Sequence, residues 1–303
     1  MVDSPVELAA YVIDNHRHLV NYSTDSEIYS ELRTLSRQYL HYVKVLANAK
    51  VNLTDILDRT LPGIKPMLKG HIRTTGKNKL CDFVERFWHC DVITSMSESK
   101  FVLEYIKWAK KKGYHPNETK AKSLYANALE CIPTLPSNSP STKMLVLEAA
   151  KAVENIETTL ATILSQMSEL AKTLPEFSVV REMSGVGDVL APRIIAEIGD
   201  VRRFHSASAL IAYAGIDAPP YQSGSFYGSN RKISKRGSAS LRKTGYEIMQ
   251  ALKIVQPQND NSVYQYLIKK ENEGKPLKVA KIAALNKFLR IYYSRVKEVY
   301  SKF

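Results

Sequence analysis

Residues 183–204 read MSGVGDVLAPRIIAEIGDVRRF, and this stretch decides the fold of the C-terminal part of the chain. Gly185 and Gly187 predict a tight turn between two short helices, because glycine adopts backbone conformations that other residues avoid. The second helix begins near Asp188, and its free N–H groups can bind a phosphate at the turn. The pattern predicts a helix-hairpin-helix that holds a nucleic-acid backbone without reading bases. The alternative is a tight helical corner with no ligand.

A turn and a cationic segment follow this helical pair. Residues 219–224, PPYQSG, predict an exposed turn, and residues 230–243, NRKISKRGSASLRK, hold six cations and no acid. A serine hydroxyl becomes a good nucleophile beside a base or a positive field, and arginines stabilise charge that develops on an attacked phosphate. Ser223 therefore has suitable surroundings for attack on a phosphodiester. Three neighbouring serines compete for the same role: Ser225, Ser229 and Ser234.

Composition agrees with a polyanionic partner. The formal net charge is +13 over 303 residues, and each neutralised phosphate releases counterions. A basic protein with no such partner is the alternative. We predict that two glycines and seven cations bind the nucleic acid. These residues are Gly185, Gly187, Arg202, Arg203, Arg231, Lys232, Lys235, Arg236 and Arg242.

The cysteines and the hydropathy bear on location. Cys81, Cys90 and Cys131 do not make a disulfide framework, which fits a reducing cytoplasm. The sequence has no recognisable signal peptide and no apolar run long enough to span a bilayer. We therefore expect a cytoplasmic protein with no membrane partner.

Two heptad patterns organise the first half of the chain. They occupy residues 28–56 and 146–174, and each predicts a long helix with a narrow apolar seam. Pro62 and Pro175 stop the two helices, because proline cannot continue a helix. Two such helices can pack on each other or on a second copy of the chain, and the sequence leaves both arrangements open.

The sequence thus predicts a mainly α-helical protein in three parts. Residues 1–23 read as the end of a domain. Residues 24–175 form the coiled-coil region with a helical insert, and a Pro/Ser linker lies at residues 133–141. Residues 176–303 form a compact helical domain that ends in a long basic helix, from about Lys275 to Val299.

The stretch from Ser184 to Arg242 closely resembles the C-terminal domain of the IS one-ten family of insertion-sequence transposases, the bridge-RNA-guided recombinases. It reads SGVGDVLAPRIIAEIGDVRRFHSASALIAYAGIDAPPYQSGSF and, further on, ISKRGSASLRK. Residues 31–64 are similar to the long helix that follows the family's catalytic domain, and the second heptad pattern fits its coiled coil. The resemblance covers about residues 3–295.

The resemblance implies a function. Ser223 of YQSG matches the family's nucleophilic serine, which forms a transient covalent bond to a DNA phosphate. A bridge RNA pairs with donor and target DNA, while the protein supplies backbone contacts and chemistry. The coiled coil implies a homo-oligomer. The family also carries an N-terminal ribonuclease-H-like domain whose four acidic residues hold Mg²⁺.

The chain departs from this family at its start. Residues 1–23 match only the tail end of the ribonuclease-H-like domain, and Asp3 matches its last acidic position. One carboxylate cannot assemble a usual Mg²⁺ site, so we expect a truncated or split transposase that binds nucleic acid without recombining it alone. One alternative is a nucleic-acid-binding module with no catalysis. A helix-hairpin-helix glycosylase is less compatible, because it needs a base pocket and a catalytic Lys or Asp soon after the hairpin.

Overall fold

A computed structural model of the chain describes residues 4–15, 27–68, 78–218, 222–223, 226–227, 232–258 and 261–302. These residues are mainly α-helical, which confirms the predicted fold class at that level. No helix among them is long and apolar enough to cross a bilayer.

Fourteen α-helices, one short 3-10 helix and two short strands make up this described part of the chain. The helices of the first half are α1 (Pro5–Asn15), α2 (Glu27–Thr60), α3 (Ile64–Met67), α4 (Lys79–Arg86), α5 (Cys90–Thr94), α6 (Glu98–Lys112), α7 (Glu118–Glu130) and α8 (Pro140–Lys172). The second half contains α9 (Phe177–Arg181), α10 (Gly187–Ile198), the 3-10 helix (Val201–Arg203), α11 (Ala207–Ala214), β1 (Gln222–Ser223), β2 (Phe226–Tyr227), α12 (Ala239–Val255), α13 (Ser262–Asn272) and α14 (Leu277–Tyr300).

The packing divides the chain into two compact units. The central unit is Leu35–Met167, and the terminal unit combines the chain up to Thr34 with the chain from Ser168 onward. Both boundaries fall inside long helices, α2 and α8. The central unit therefore begins eleven residues after, and ends eight residues before, the limits 24–175 expected from the sequence, and the terminal unit joins the start of the chain to the expected domain 176–303.

The central unit has an aromatic core. In α6, Phe101, Tyr105 and Trp108 recur on one face and are buried, as the amphipathic pattern of this segment predicts. The Ser97 hydroxyl accepts a hydrogen bond from the backbone N–H of Lys100 and caps the helix. The helix ends at Gly113, whose φ of 78° lies in the left-handed region that favours glycine.

The helices α2 and α8 contact each other in this unit. Lys50 Nζ of α2 lies 2.7 Å from Glu157 Oε1 of α8. Leu53 and Val153, one from each heptad pattern, are buried in the same core, whereas Leu46 is only half-buried. The long helices are therefore present, but the coiled coil and the self-association expected from it stay predictions.

The Pro/Ser linker predicted at residues 133–141 lies within the central unit and is shorter than expected. Pro140 already belongs to α8, because the fixed backbone angle and missing N–H of proline suit the first turn of a helix. The backbone N–H groups of Thr134 and Leu135 donate to the carbonyl of Arg59, at 3.0 and 3.1 Å. The linker thus joins α7 to α8 and is itself held in place.

The terminal unit is built around α10. Ala191 to Gly199 are all buried, and the helix packs against α9 and α12. The long basic helix α14 covers α11, α12 and α13 with its apolar face, including the fully buried Phe288 and Tyr292. This core positions the turn before α10 and the loop after α11.

A buried carboxyl group connects the ends of this unit. Glu176 is 1% exposed, and it accepts hydrogen bonds from Tyr29 at the start of α2 and Tyr300 at the end of α14, each at 2.6 Å. The two phenol oxygens are themselves 2.8 Å apart. Burial raises the pKa of Tyr29 and of Tyr300, and the hydrogen bonds to Glu176 raise it further.

Candidate nucleic-acid interface

The turn between α9 and α10 places its two glycines in different surroundings. Both have left-handed backbones, with φ of 85° at Gly185 and 59° at Gly187. A Cβ at Gly185 would lie 2.9 Å from the carbonyl oxygen of Ile248 and from the backbone and Cβ of Leu252 in α12. A Cβ at Gly187 would meet nothing within 4 Å. The packing on α12 accounts for Gly185 without a ligand, whereas Gly187 faces open space.

A carboxylate already lies at the N-terminus of α10. Asp188 is exposed in its first turn and forms an ion pair with Arg181 of α9. The hydrogen bond from Arg181 and the charge of that guanidinium lower the pKa of Asp188. The Asp188 carboxylate already interacts favourably with the positive end of the helix dipole, and its charge opposes a second anion there. A phosphate bound at this position would therefore need the positive charge of Arg181 as well.

The backbone at the end of α11 lies beside the backbone that leads into α12. The backbone N–H of Ser234 donates to the carbonyl of Asp217 at 2.9 Å, that of Lys235 to Gly215 at 3.0 Å, and that of Ser238 to Tyr213 at 2.7 Å. These three bonds close the base of a loop, which we call the serine loop (residues 214–237). Its two ends are fixed to the end of α11 and to the start of α12.

Gly237 and Arg242 allow this close approach. A Cβ at Gly237 would lie 2.0 Å from the carbonyl oxygen of Tyr213, so only glycine fits there. Arg242 Nη1 donates to the carbonyls of Ala214 and Gly237, each at 3.0 Å. Arg242, predicted to bind nucleic acid, is therefore used to hold the two ends of the serine loop together.

Ser223 lies near the tip of the serine loop. The strands β1 and β2 pair antiparallel, with Ser223 opposite Phe226, so two residues separate the paired positions. Of the competing serines, Ser225 and Ser229 lie outside the described residues. The Ser234 hydroxyl donates to the carboxylate of Asp217 at the loop base and so has a structural partner.

The cations on the returning side of the loop face solvent. Lys232, Lys235 and Arg236 are exposed, and none of them forms an ion pair with another described residue. Lys235 has a φ of 55°, which is unusual for a residue with a side chain and is held by its bond to Gly215. Arg231 lies outside the described residues. These exposed charges match the requirement for contacts to a phosphate backbone.

The arginine pair after α10 is engaged within the protein. The Arg202 guanidinium forms three hydrogen bonds with the Asp200 carboxylate and lies 4.4 Å from the ring centre of Tyr300. Arg203 is half-buried, with its guanidinium 4.6 Å from the rings of both Phe204 and Tyr213. Both arginines are in the set predicted to bind nucleic acid, and both have intramolecular partners that account for them.

The described residues contain one group that could hold a metal ion by composition, and it does not fit Mg²⁺. His89, Cys90 and Asp91 lie together in the central unit. His89 Nδ1 accepts from the N–H of Asp91 at 3.0 Å, and the Cys90 thiol donates to the carbonyl of Thr60 at 3.2 Å. Burial raises the pKa of Cys90, which disfavours the thiolate that a metal needs. Asp3, the predicted Mg²⁺ ligand, lies outside the described residues.

Comparison with known proteins finds a family match inside the terminal unit. Residues 178–265 match the model of the Transposase IS116/IS110/IS902 family. The match runs from α9 through the turn, the serine loop and α12 into α13, so it contains the whole interface described above. It leaves the central unit and the basic helix α14 outside.

Two curated relatives extend the comparison. The chain is similar to the pilin gene-inverting proteins of Moraxella bovis and Moraxella lacunata, with 28% identity over 137 residues in each case. The aligned segment is 44% of this chain and 42% of either relative. The chain therefore matches less than half the length of these relatives.

Proposed function

We propose that the protein acts in DNA transposition or recombination and that Ser223 is its nucleophile. The observation that carries this proposal is the serine loop. Its base is fixed by three backbone hydrogen bonds, Ser223 stands near its tip, and Lys232, Lys235 and Arg236 are exposed on its returning side. The loop lies within the segment that matches a transposase family.

In the proposed step, the Ser223 oxygen attacks a DNA phosphorus and the bond from phosphorus to a deoxyribose oxygen breaks. The serine loses its proton to solvent, and the departing sugar oxygen takes up a proton. The phosphate remains esterified to Ser223 until a sugar hydroxyl displaces it. Exposed cations beside the loop stabilise the charge on the attacked phosphate.

The proposal also includes a bridge RNA and a Mg²⁺ ion. Resemblance to the IS one-ten family supports a bridge RNA as the source of sequence specificity. That family uses Mg²⁺ held by an acidic domain, and the described residues offer no carboxylate cluster for it. No step is assigned to a metal bound by this chain, and recombination is proposed to require the acidic domain. A homo-oligomer joined through α2 and α8 is likewise proposed.

The test is formation of a covalent adduct. The chain is incubated with bridge RNA, donor and target DNA and the family's acidic domain, and the protein–DNA product is measured after denaturation. We expect an adduct with the parent chain and none with Ser223→Ala. Ser225→Ala and Ser229→Ala are the matched controls and should retain the adduct. An undiminished adduct in Ser223→Ala contradicts the assignment.

A nucleic-acid-binding module without catalysis is the second candidate. The exposed cations of the serine loop favour it, because their attraction to phosphates does not depend on the serine. Salt-dependent DNA binding that persists in Ser223→Ala, with no adduct from the parent chain in the presence of the acidic domain, supports this candidate over the first.

A further inference from the structure

The positive charge of the chain is concentrated at its C-terminal end. Residues 218–303 contain 17 Lys and Arg against 5 Asp and Glu, out of a net charge of +13 for the whole chain. Four of these five acids are described, and each is in an ion pair; Asp260 lies outside the described residues. The pairs are Glu247 with Arg193, Glu271 with Lys253, Glu273 with Lys270, and Glu298 with Lys302.

The helix α14 carries a large part of this excess. From Lys275 to Lys297 the sequence has seven cations and no acid. Lys287, Arg290 and Lys297 are spaced by three and seven residues, so they lie on one side of the helix. We call these three residues the α14 basic face. The opposite side of the helix is buried in the terminal unit, whereas on this face Arg290 and Lys297 are exposed and Lys287 is half-buried.

The contacts that hold the α14 basic face are all with neutral groups. Lys287 Nζ donates to the carbonyl of Ser262 at 2.8 Å, Arg290 Nε to the amide oxygen of Asn286 at 3.1 Å, and Lys297 Nζ to the hydroxyl of Tyr293 at 3.0 Å. No described carboxylate forms an ion pair with any of the three. The side chains are therefore positioned while their charges stay uncompensated.

We propose that the α14 basic face binds the phosphate backbone of duplex DNA, as a contact separate from the serine loop. The face extends over ten residues, about 15 Å along the helix axis. A duplex carries roughly nine phosphate charges over that length. Three fixed, uncompensated cations match such a charge array and carry no means of reading bases, so the contact holds DNA without selecting its sequence. The proposal rests on the proposed function insofar as DNA is the ligand.

The test measures binding of the full chain to a 25-base-pair DNA duplex of arbitrary sequence at several salt concentrations. The slope of log affinity against log salt counts the phosphates contacted. Replacing Lys287, Arg290 and Lys297 together by Gln should reduce that slope by about 2 to 3. Arg290→Gln alone, which removes only the hydrogen bond to the Asn286 side chain, should reduce the slope by about 1 without affecting folding.

The matched control removes the same charge elsewhere. Lys107, Lys122 and Lys151 of the central unit each pair with a glutamate one turn away, and their joint replacement by Gln should leave the slope unchanged. A separate variant neutralises Lys232, Lys235 and Arg236 of the serine loop. If it lowers the slope while the α14 variants do not, the α14 proposal fails and the proposed function stands. If the parent chain binds DNA without salt dependence, both fail. A loss of slope with duplex RNA but not with duplex DNA also overturns the α14 proposal.

Discussion

At the scale of single residues, the charged side chains of the terminal unit divide into two groups. Arg202, Arg203 and Arg242 have partners inside the protein, whereas Lys232, Lys235 and Arg236 face solvent without ion-pair partners among the described residues. The sequence placed all six in one nucleic-acid-binding set. It could not separate them, because the partner of Arg202 includes Tyr300, almost one hundred positions away in the chain. Packing, and not local composition, decides which cations remain exposed.

This division predicts opposite effects of two substitutions. Arg242→Gln should destabilise the chain by about 1–3 kcal/mol, because it leaves two loop carbonyls without their donor. Neutralising Lys235 and Arg236 should change stability by less than about 0.5 kcal/mol while weakening DNA binding. Urea denaturation and a DNA-binding titration on both variants check this. A stable Arg242→Gln chain with weakened DNA binding contradicts the structural role given to Arg242.

The Tyr29–Glu176–Tyr300 group predicts a pH dependence. The folded protein keeps the Tyr29 phenol protonated, whereas the unfolded chain loses that proton near pH 10, so this contribution to stability is present below pH 10 and is lost as pH rises. Tyr29→Phe should cost about 1.5–3 kcal/mol at pH 8. Above pH 10 the difference in free energy of unfolding between the parent chain and Tyr29→Phe should narrow by about 1.4 kcal/mol per pH unit, because the variant lacks the titrating group. Urea denaturation of both chains at pH 8, 10 and 11 measures this difference. A difference that stays constant with pH contradicts the role given to Tyr29.

At the scale of elements, the helices were predictable and the serine loop was not. The boundaries of α6 follow from an amphipathic pattern with a Ser cap and a terminal Gly, and the heptads locate α2 and α8. The hydrogen bonds between residues 213–217 and 234–238 leave no periodic signal, because they join segments about twenty positions apart. The sequence therefore identified Ser223 by resemblance and gave no account of how it is held.

The turn before α10 offers a controlled test of its two glycines. Alanine at Gly185 or at Gly187 meets the same left-handed backbone strain of about 1–2 kcal/mol. Gly185→Ala should cost about 1–3 kcal/mol more, because its Cβ collides with α12. Thermal or urea denaturation of both variants gives the difference. Equal losses of stability contradict the packing role of Gly185, and weaker DNA binding in the stable Gly187→Ala chain supports phosphate approach at Gly187.

At the scale of the whole molecule, the chain combines a terminal unit, in which residues 178–265 match a transposase family, with a central unit outside that match. Tyr42, a heptad position of α2, is only half-buried and leaves apolar surface for a second copy. We predict a solution mass near twice the 34.2 kDa of one chain, and Tyr42→Glu should return it to one chain. Light scattering after gel filtration measures it. A mass of one chain at every concentration contradicts self-association.

The central claim is that Ser223 becomes covalently joined to DNA. Its most direct test is mass spectrometry of the protein–DNA adduct after nuclease and trypsin digestion. Trypsin releases residues 204–231, a peptide that contains Ser223 and the competing Ser225 and Ser229, and fragmentation locates the attached nucleotide. The account predicts the nucleotide on Ser223. A nucleotide on any other residue contradicts it.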